Sequence, residues 1–154
     1  MKLLEWLSRI FLGTQERASP SDFFPINGIW HDSEANLIII SLGSLKVGLT
    51  KPPKVWIPEI PHSNSMDPVF DAGNNNILMA GATTEDHKLL LDYIKPGDIV
   101  AAYSSKRAVL HRIVEIGQKD GRRYWRTRGD NNNANDPERW GDEHIMLISV
   151  GTIY

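Results

Sequence analysis

The sequence contains no cysteine, which excludes a thiol nucleophile, a disulfide framework and thiolate ligation of a metal. Neither sign of charge dominates: 17 lysines and arginines stand against 19 acidic residues, a formal net charge of -2. Without a basic excess or a dense basic run, the chain has no electrostatic footprint for nucleic acid. Its five histidines, His31, His62, His87, His111 and His144, show no ligand spacing such as His-Glu-x-x-His. No metal and no cofactor are therefore expected. Long apolar runs are missing as well. The first twelve residues fall far short of the roughly 20 apolar residues a bilayer-spanning helix needs, and they lack the small-residue cleavage site of a secretory signal.

At 154 residues the chain has the length of one domain with a core of its own. Leu3, Leu4, Leu7, Ile10 and Phe11 recur at helical spacing, with Lys2, Glu5 and Arg9 on the other side. Residues 1–12 thus read as an amphipathic helix, packed on the domain or, in a second placement, lying on a membrane surface with Trp6 and Phe11 as anchors. The expectation is a soluble or peripherally membrane-associated protein. Residues 13–35 are polar and proline-punctuated and read as a linker, leaving 36–154 as the folded body.

In that body, Leu37-Ile38-Ile39-Ile40 is a β-branched run of the kind buried on both faces of a sheet. Val55 to Pro61 is extended by composition, but its prolines remove ladder donors and assign it to an edge, where an extended peptide could add as a further strand. Ile77 to Gly81 is a short strand, and Thr83 caps a helix through Leu91. Asp98 to Tyr103, Ala108 to Ile116 and Arg123 to Thr127 form a meander, Gly129 to Glu138 is irregular, and Ile145 to Tyr154 is a last strand. The fold class expected is mainly β, largely antiparallel, with one or two short helices.

Three separated segments carry candidate chemistry. Ser63-Asn64-Ser65-Met66-Asp67-Pro68 on its own reads as a turn, since Ser, Asn, Asp and Pro all favour turns. His111 alternates with Val109, Ile113 and Glu115 on one strand face, while Leu110, Arg112, Val114 and Ile116 take the other. A serine hydroxyl needs a neighbouring base, and imidazole, with a reference pKa near 6.5, needs no displacement to serve. Lys106 is the rival base, but it sits in a polar hairpin turn where water keeps an ammonium protonated.

Ser63-Asn64-Ser65-Met66-Asp67-Pro68, Lys95-Pro96-Gly97-Asp98-Ile99-Val100, His111-Arg112-Ile113-Val114 and Gly129-Asp130-Asn131-Asn132 occur in this order. Together they resemble the boxes of type I signal peptidases over roughly Val55 to Tyr154. The likeness is closer to the endoplasmic-reticulum and archaeal branch, where a His-Arg pair replaces Lys-Arg. The resemblance implies the mainly β fold shared with LexA-like self-cleaving repressors. It also implies a serine endopeptidase that cuts an extended peptide after a small residue. It assigns Ser65 as nucleophile, His111 as general base and the Ser63 hydroxyl to an oxyanion hole with the Ser65 N–H. Asp136 takes the place of the acid that orients the imidazole, and Asp130 a supporting one. Arg139-Trp140-Gly141 also resembles a stretch of bacterial members and is assigned packing.

Two other functions compete. A self-cleaving regulator of the LexA or UmuD kind cuts itself at an Ala-Gly upstream of its serine, whereas Ala72-Gly73 and Ala80-Gly81 both lie downstream of Ser65. A catalytically inactive domain that binds peptides at its edge strand would keep the same boxes as packing and turn chemistry.

Overall fold

The computed structural model describes the backbone of residues 26–32 and 37–42, and residues 48–70 and 72–153 in full. The helix expected over residues 1–12 lies outside the described residues. So do the side chains of Leu37 to Ile40, whose burial on two faces was expected.

Strands β1 (Ile26–Asp32) and β2 (Leu37–Leu42) pair antiparallel as a two-stranded sheet. β1 falls inside the stretch 13–35 that reads as linker. Its Ile26, Ile29 and Trp30 are strand-favouring residues, interrupted by Asn27 and Gly28 at the point where the register shifts.

The main sheet has six strands, all paired antiparallel. They are β3 (Lys54–Trp56), β4 (Asn75–Ala80), β5 (Ile99–Tyr103), β6 (Ala108–Lys119), β7 (Arg122–Arg128) and β8 (Ile145–Ile153), in the order β3-β4-β8-β5-β6-β7. β3 lies at the edge, as its flanking prolines require, and pairing with β4 continues past it through a bridge between Glu59 and Asn75. β8, the last strand in sequence, sits between β4 and β5. Its Ile148 and Ser149 are fully buried, because a strand hydrogen-bonded on both sides and covered on its faces meets no water. The chain is thus mainly antiparallel β.

One α-helix, α1 (Thr84–Leu91), is present among the described residues, beside a single 3-10 turn at Asp142–His144. Thr83 caps α1 by accepting from the Asp86 N–H. Leu90 and Leu91 bury against Ile77, Met79, Val100 and Ile148 in the larger core cluster. A smaller cluster, Ile60, Met66, Phe70 and Ile99, lies under the segment that carries Ser65. Ile99 and Val100 fall into different clusters because neighbours on a strand point to opposite faces.

On β6 the alternation expected from sequence holds through Ile113, with Val109, His111 and Ile113 all buried. It fails beyond. A register shift between Ile113 and Glu115 moves Ile116 onto the large core, while Glu115 accepts from the Tyr124 hydroxyl and Arg126. One extra residue in a strand reverses every later side chain.

Asp86, in the first turn of α1, is fully buried and ties the helix to the segment before β3. It accepts from the Thr50 N–H at 2.7 Å and from the Thr50 hydroxyl at 2.9 and 3.1 Å. The Thr50 N–H does most to hold its pKa below the ordinary 3.8; burial opposes this, and the Thr50 and Thr83 hydroxyls add to the lowering. A depressed folded-state pKa gives stability that is complete above the unfolded carboxylate value and lost as pH falls through the lower folded one. Asp86→Asn should therefore lower the urea midpoint at about pH 7 and shrink the further loss on going to about pH 3. An unaltered difference between the two pH values would contradict this role.

Candidate active site

The segment after β3 turns away from the sheet edge at Pro61 and presents Ser63 and Ser65 to a cleft of about 300 Å³. Ile60, Pro61 and Met66 line one side and Val109, Leu110 and His111 of β6 the other. Between the two serines, Asn64 has φ 54°, the left-handed region that Asn tolerates better than most residues.

His111 Nε2 lies 3.0 Å from Ser65 Oγ, and His111 Nδ1 lies 2.7 Å from Asp136 Oδ2. An ionised carboxylate only accepts hydrogen bonds, so Nδ1 carries the proton and Nε2 of the neutral ring accepts from the serine. With its one hydrogen directed at His111, Ser65 Oγ takes the contact at 3.2 Å from Ser63 as an acceptor. The Ser65 N–H in turn donates to Ser63 Oγ at 3.5 Å, so the two groups stand side by side at the nucleophile.

His111 is 5% exposed and Asp136 3%. Burial alone would raise the Asp136 pKa, but hydrogen bonds from His111 and Thr127, with the charge of Arg107, hold it below the ordinary value. The carboxylate therefore stays ionised at neutral pH. Its Oδ1 accepts from Arg107 Nη2 at 3.1 Å, and Arg107 also reaches Glu138 at 3.3 Å.

Asp130 does other work. It takes a bidentate bond from Arg112, Nε at 2.9 Å and Nη2 at 2.7 Å, while Arg112 Nη1 donates to the Gly97 carbonyl at 2.5 Å. Asp136, and not Asp130, touches the imidazole. The loop that Asp130 anchors lies against the serine segment: the Asn131 N–H donates to the Ser65 carbonyl at 2.9 Å, and Asn131 Nδ2 to the Asn64 carbonyl at 3.0 Å. The approach is close enough that a Cβ at Gly129 would stand 2.5 Å from the Ser65 oxygen. Lys106 is exposed in the turn between β5 and β6, its N–H on Ser104 Oγ.

Ser63, Ser65, His111 and Asp136 are thus brought together from three distant segments, and the arrangement can pass a proton from a hydroxyl to an imidazole backed by a carboxylate. Two neighbours went unassigned in the sequence, and a third does more than was assigned to it. Arg107 was visible only as part of a Lys-Arg pair. Thr127, which donates to Asp136 Oδ2 at 2.6 Å, gave no signal beyond its strand alternation. Trp140, assigned packing, is indeed buried, but its indole N–H also donates to Thr127 Oγ1 at 2.9 Å.

No protein-family model matches the chain, and no solved structure matches it. Among curated proteins, Signal peptidase I W of Bacillus subtilis (strain 168) is 31% identical over 90 residues, which cover 58% of this chain and 44% of that protein. The chain thus matches less than half the length of this relative. The likeness supports a signal-peptidase-I-like relationship.

Proposed function

We propose that the chain is a serine endopeptidase of the signal peptidase I type, of the branch that uses histidine in place of lysine. The observation that carries this reading is the continuous series from Ser65 Oγ to His111 Nε2, 3.0 Å, and from His111 Nδ1 to Asp136 Oδ2, 2.7 Å. Both lengths are within the reach a nucleophile and its base require.

In this reading Ser65 Oγ attacks the scissile carbonyl while Nε2 of His111 takes its proton. Asp136 holds the imidazole in the tautomer that leaves Nε2 free and stabilises the imidazolium that forms. Negative charge on the carbonyl oxygen is met by the Ser65 N–H and the Ser63 hydroxyl, and such a donor contributes about 3 kcal/mol. The imidazolium then gives its proton to the leaving amine, and water deacylates the serine by the same route.

An extended substrate fits the edges available. The Ile113 N–H bonds Asp98 and the Gly97 N–H bonds Ile113, so alternation turns the backbone groups of Leu110 and Ala108 away from β5. Pairing with β7 stops at Arg112 opposite Arg128. The open edge at Ala108 to Leu110 faces the cleft across from Ile60 and Pro61, where a peptide strand would find ladder partners. Apolar walls beside Ser65 favour a small, uncharged residue before the cut.

Peptides carrying Ala-x-Ala sites should be cut by the wild type, a reaction followed by mass spectrometry with the intact protein weighed in the same run. Ser65→Ala and His111→Ala should each lose at least about 1,000-fold in rate, and Lys106→Ala should keep the activity. Cleavage that survives Ser65→Ala, or is lost in Lys106→Ala alone, would refute the assignment. A change only in the protein's own mass would favour self-cleavage. Gly129→Ala, which forces the loop away from the Ser65 carbonyl, should cut the rate roughly 100-fold with the fold retained by circular dichroism. Wild-type turnover in that variant would show that the loop contact does not position the serine.

A further inference from the structure

The carboxylate of Asp136 is held by more than the imidazole. Thr127 and Asp136 lie nine residues apart and are both buried, Thr127 fully. The Thr127 hydroxyl is 2.6 Å from Oδ2, the same oxygen that His111 Nδ1 meets at 2.7 Å. The Asp136 N–H donates in turn to the Thr127 carbonyl at 2.8 Å. Two bonds, one from the side chain and one from the backbone, therefore fix the acid to one residue of β7.

The direction of the hydroxyl is also determined. Trp140 Nε1 lies 2.9 Å from Thr127 Oγ1, and an indole N–H can only donate. Thr127 Oγ1 accepts that bond, so its single hydrogen is left for Asp136. Trp140 is placed by a two-way backbone bridge to Trp125, at 2.8 and 2.9 Å, and is 1% exposed. Neither Thr127 nor Trp140 borders the cleft, so neither can touch a substrate in it.

We propose that Thr127, oriented by Trp140, is a positioning residue that holds Asp136 Oδ2 in line with His111 Nδ1 and so keeps the imidazole directed at Ser65. The inference rests on the Ser-His-Asp reading above. Its physical content is geometric. A carboxylate on a two-torsion side chain can rotate about its last bond, and a second donor on the same oxygen resists the rotation that would carry Oδ2 away from the ring. Arg107, on Oδ1 and partly exposed, is the looser of the two holds.

The test uses the whole chain with nitrogen-15 in histidine. The Nδ1 proton of His111, hydrogen-bonded to a buried carboxylate, should resonate far downfield in the wild type. In Thr127→Val, which keeps the volume and removes the donor, this resonance should move upfield or exchange with water faster. The kcat on an Ala-x-Ala peptide should fall roughly 10- to 100-fold with KM changed less than about threefold. Thr127→Ser, which restores the hydroxyl, should recover both readouts. A valine variant with the wild-type resonance and rate would overturn the proposal, as would a serine variant no better than valine. If the valine variant does not fold, Thr127→Cys replaces it, with a weaker donor in nearly the same space and the same two outcomes. The resonance needs no turnover. A shift in Thr127→Val with no peptide cut even by wild type would refute the peptidase reading and leave the positioning role supported.

Discussion

Everything around the cleft depends on one oxygen, Oδ2 of Asp136. Two directional series of hydrogen bonds end on it: Ser63 to Ser65 to His111, and Trp140 to Thr127. The Thr127 hydroxyl and the His111 ring are each left one arrangement that satisfies their partners. The cost of burying a carboxylate at 3% exposure is met by donors on both of its oxygens. Without them the group would take up a proton and stop orienting the imidazole.

The main sheet supplies that arrangement through its later strands. β6 carries His111, β7 carries Thr127, and the loop after β7 returns Asp136 to the Thr127 carbonyl. The base and the threonine that holds the acid thus stand on neighbouring strands, whose register is fixed by paired backbone groups and by the packing of Trp125 and Ile113 beneath them. Only the serine comes from elsewhere, from the segment beyond the edge strand β3. Its seat is a small apolar cluster of Ile60, Met66, Phe70 and Ile99.

Much of this was legible in the sequence for a physical reason. Alternation and turn residues dictate local structure, so the meander of β5 to β7, the edge placement of β3 and the Thr83 cap could all be read from short windows. Ser65 and His111 could be singled out because their types match what acyl transfer requires, whereas Asp136 was reached only through the resemblance to signal peptidases. What could not be read depends on contacts between distant segments. The bulge after Ile113, which reverses Glu115 and Ile116, leaves no mark in composition. β1 was hidden by the polar residues around it. Thr127 looks like any threonine on a strand until Asp136 is seen nine residues on, folded back against it. The insertion of β8 between β4 and β5 is equally a matter of topology, since a final apolar strand pairs as well at an edge as at the centre.

Two neighbouring residues on β6 explain why the serine meets the base at hydrogen-bonding distance. His111 and Arg112 point to opposite faces of the strand. The first holds the imidazole, and the second grips Asp130 with two bonds and the Gly97 carbonyl with a third. Asp130 adjoins Asn131, whose two donors hold the carbonyls of Asn64 and Ser65. A closed path therefore runs from Arg112 through the loop to Ser65, and back to His111 through the 3.0 Å contact. Asn64 pays for its left-handed backbone with roughly 1–3 kcal/mol of strain, and the Asn131 amide on its carbonyl is what keeps it there. The distance between nucleophile and base is thus fixed by polar contacts spanning a few residues of one strand and one loop, above the apolar seat of the serine segment. The same logic accounts for the glycine at position 129: the path closes only if the loop can approach the Ser65 carbonyl more nearly than any side chain there would allow.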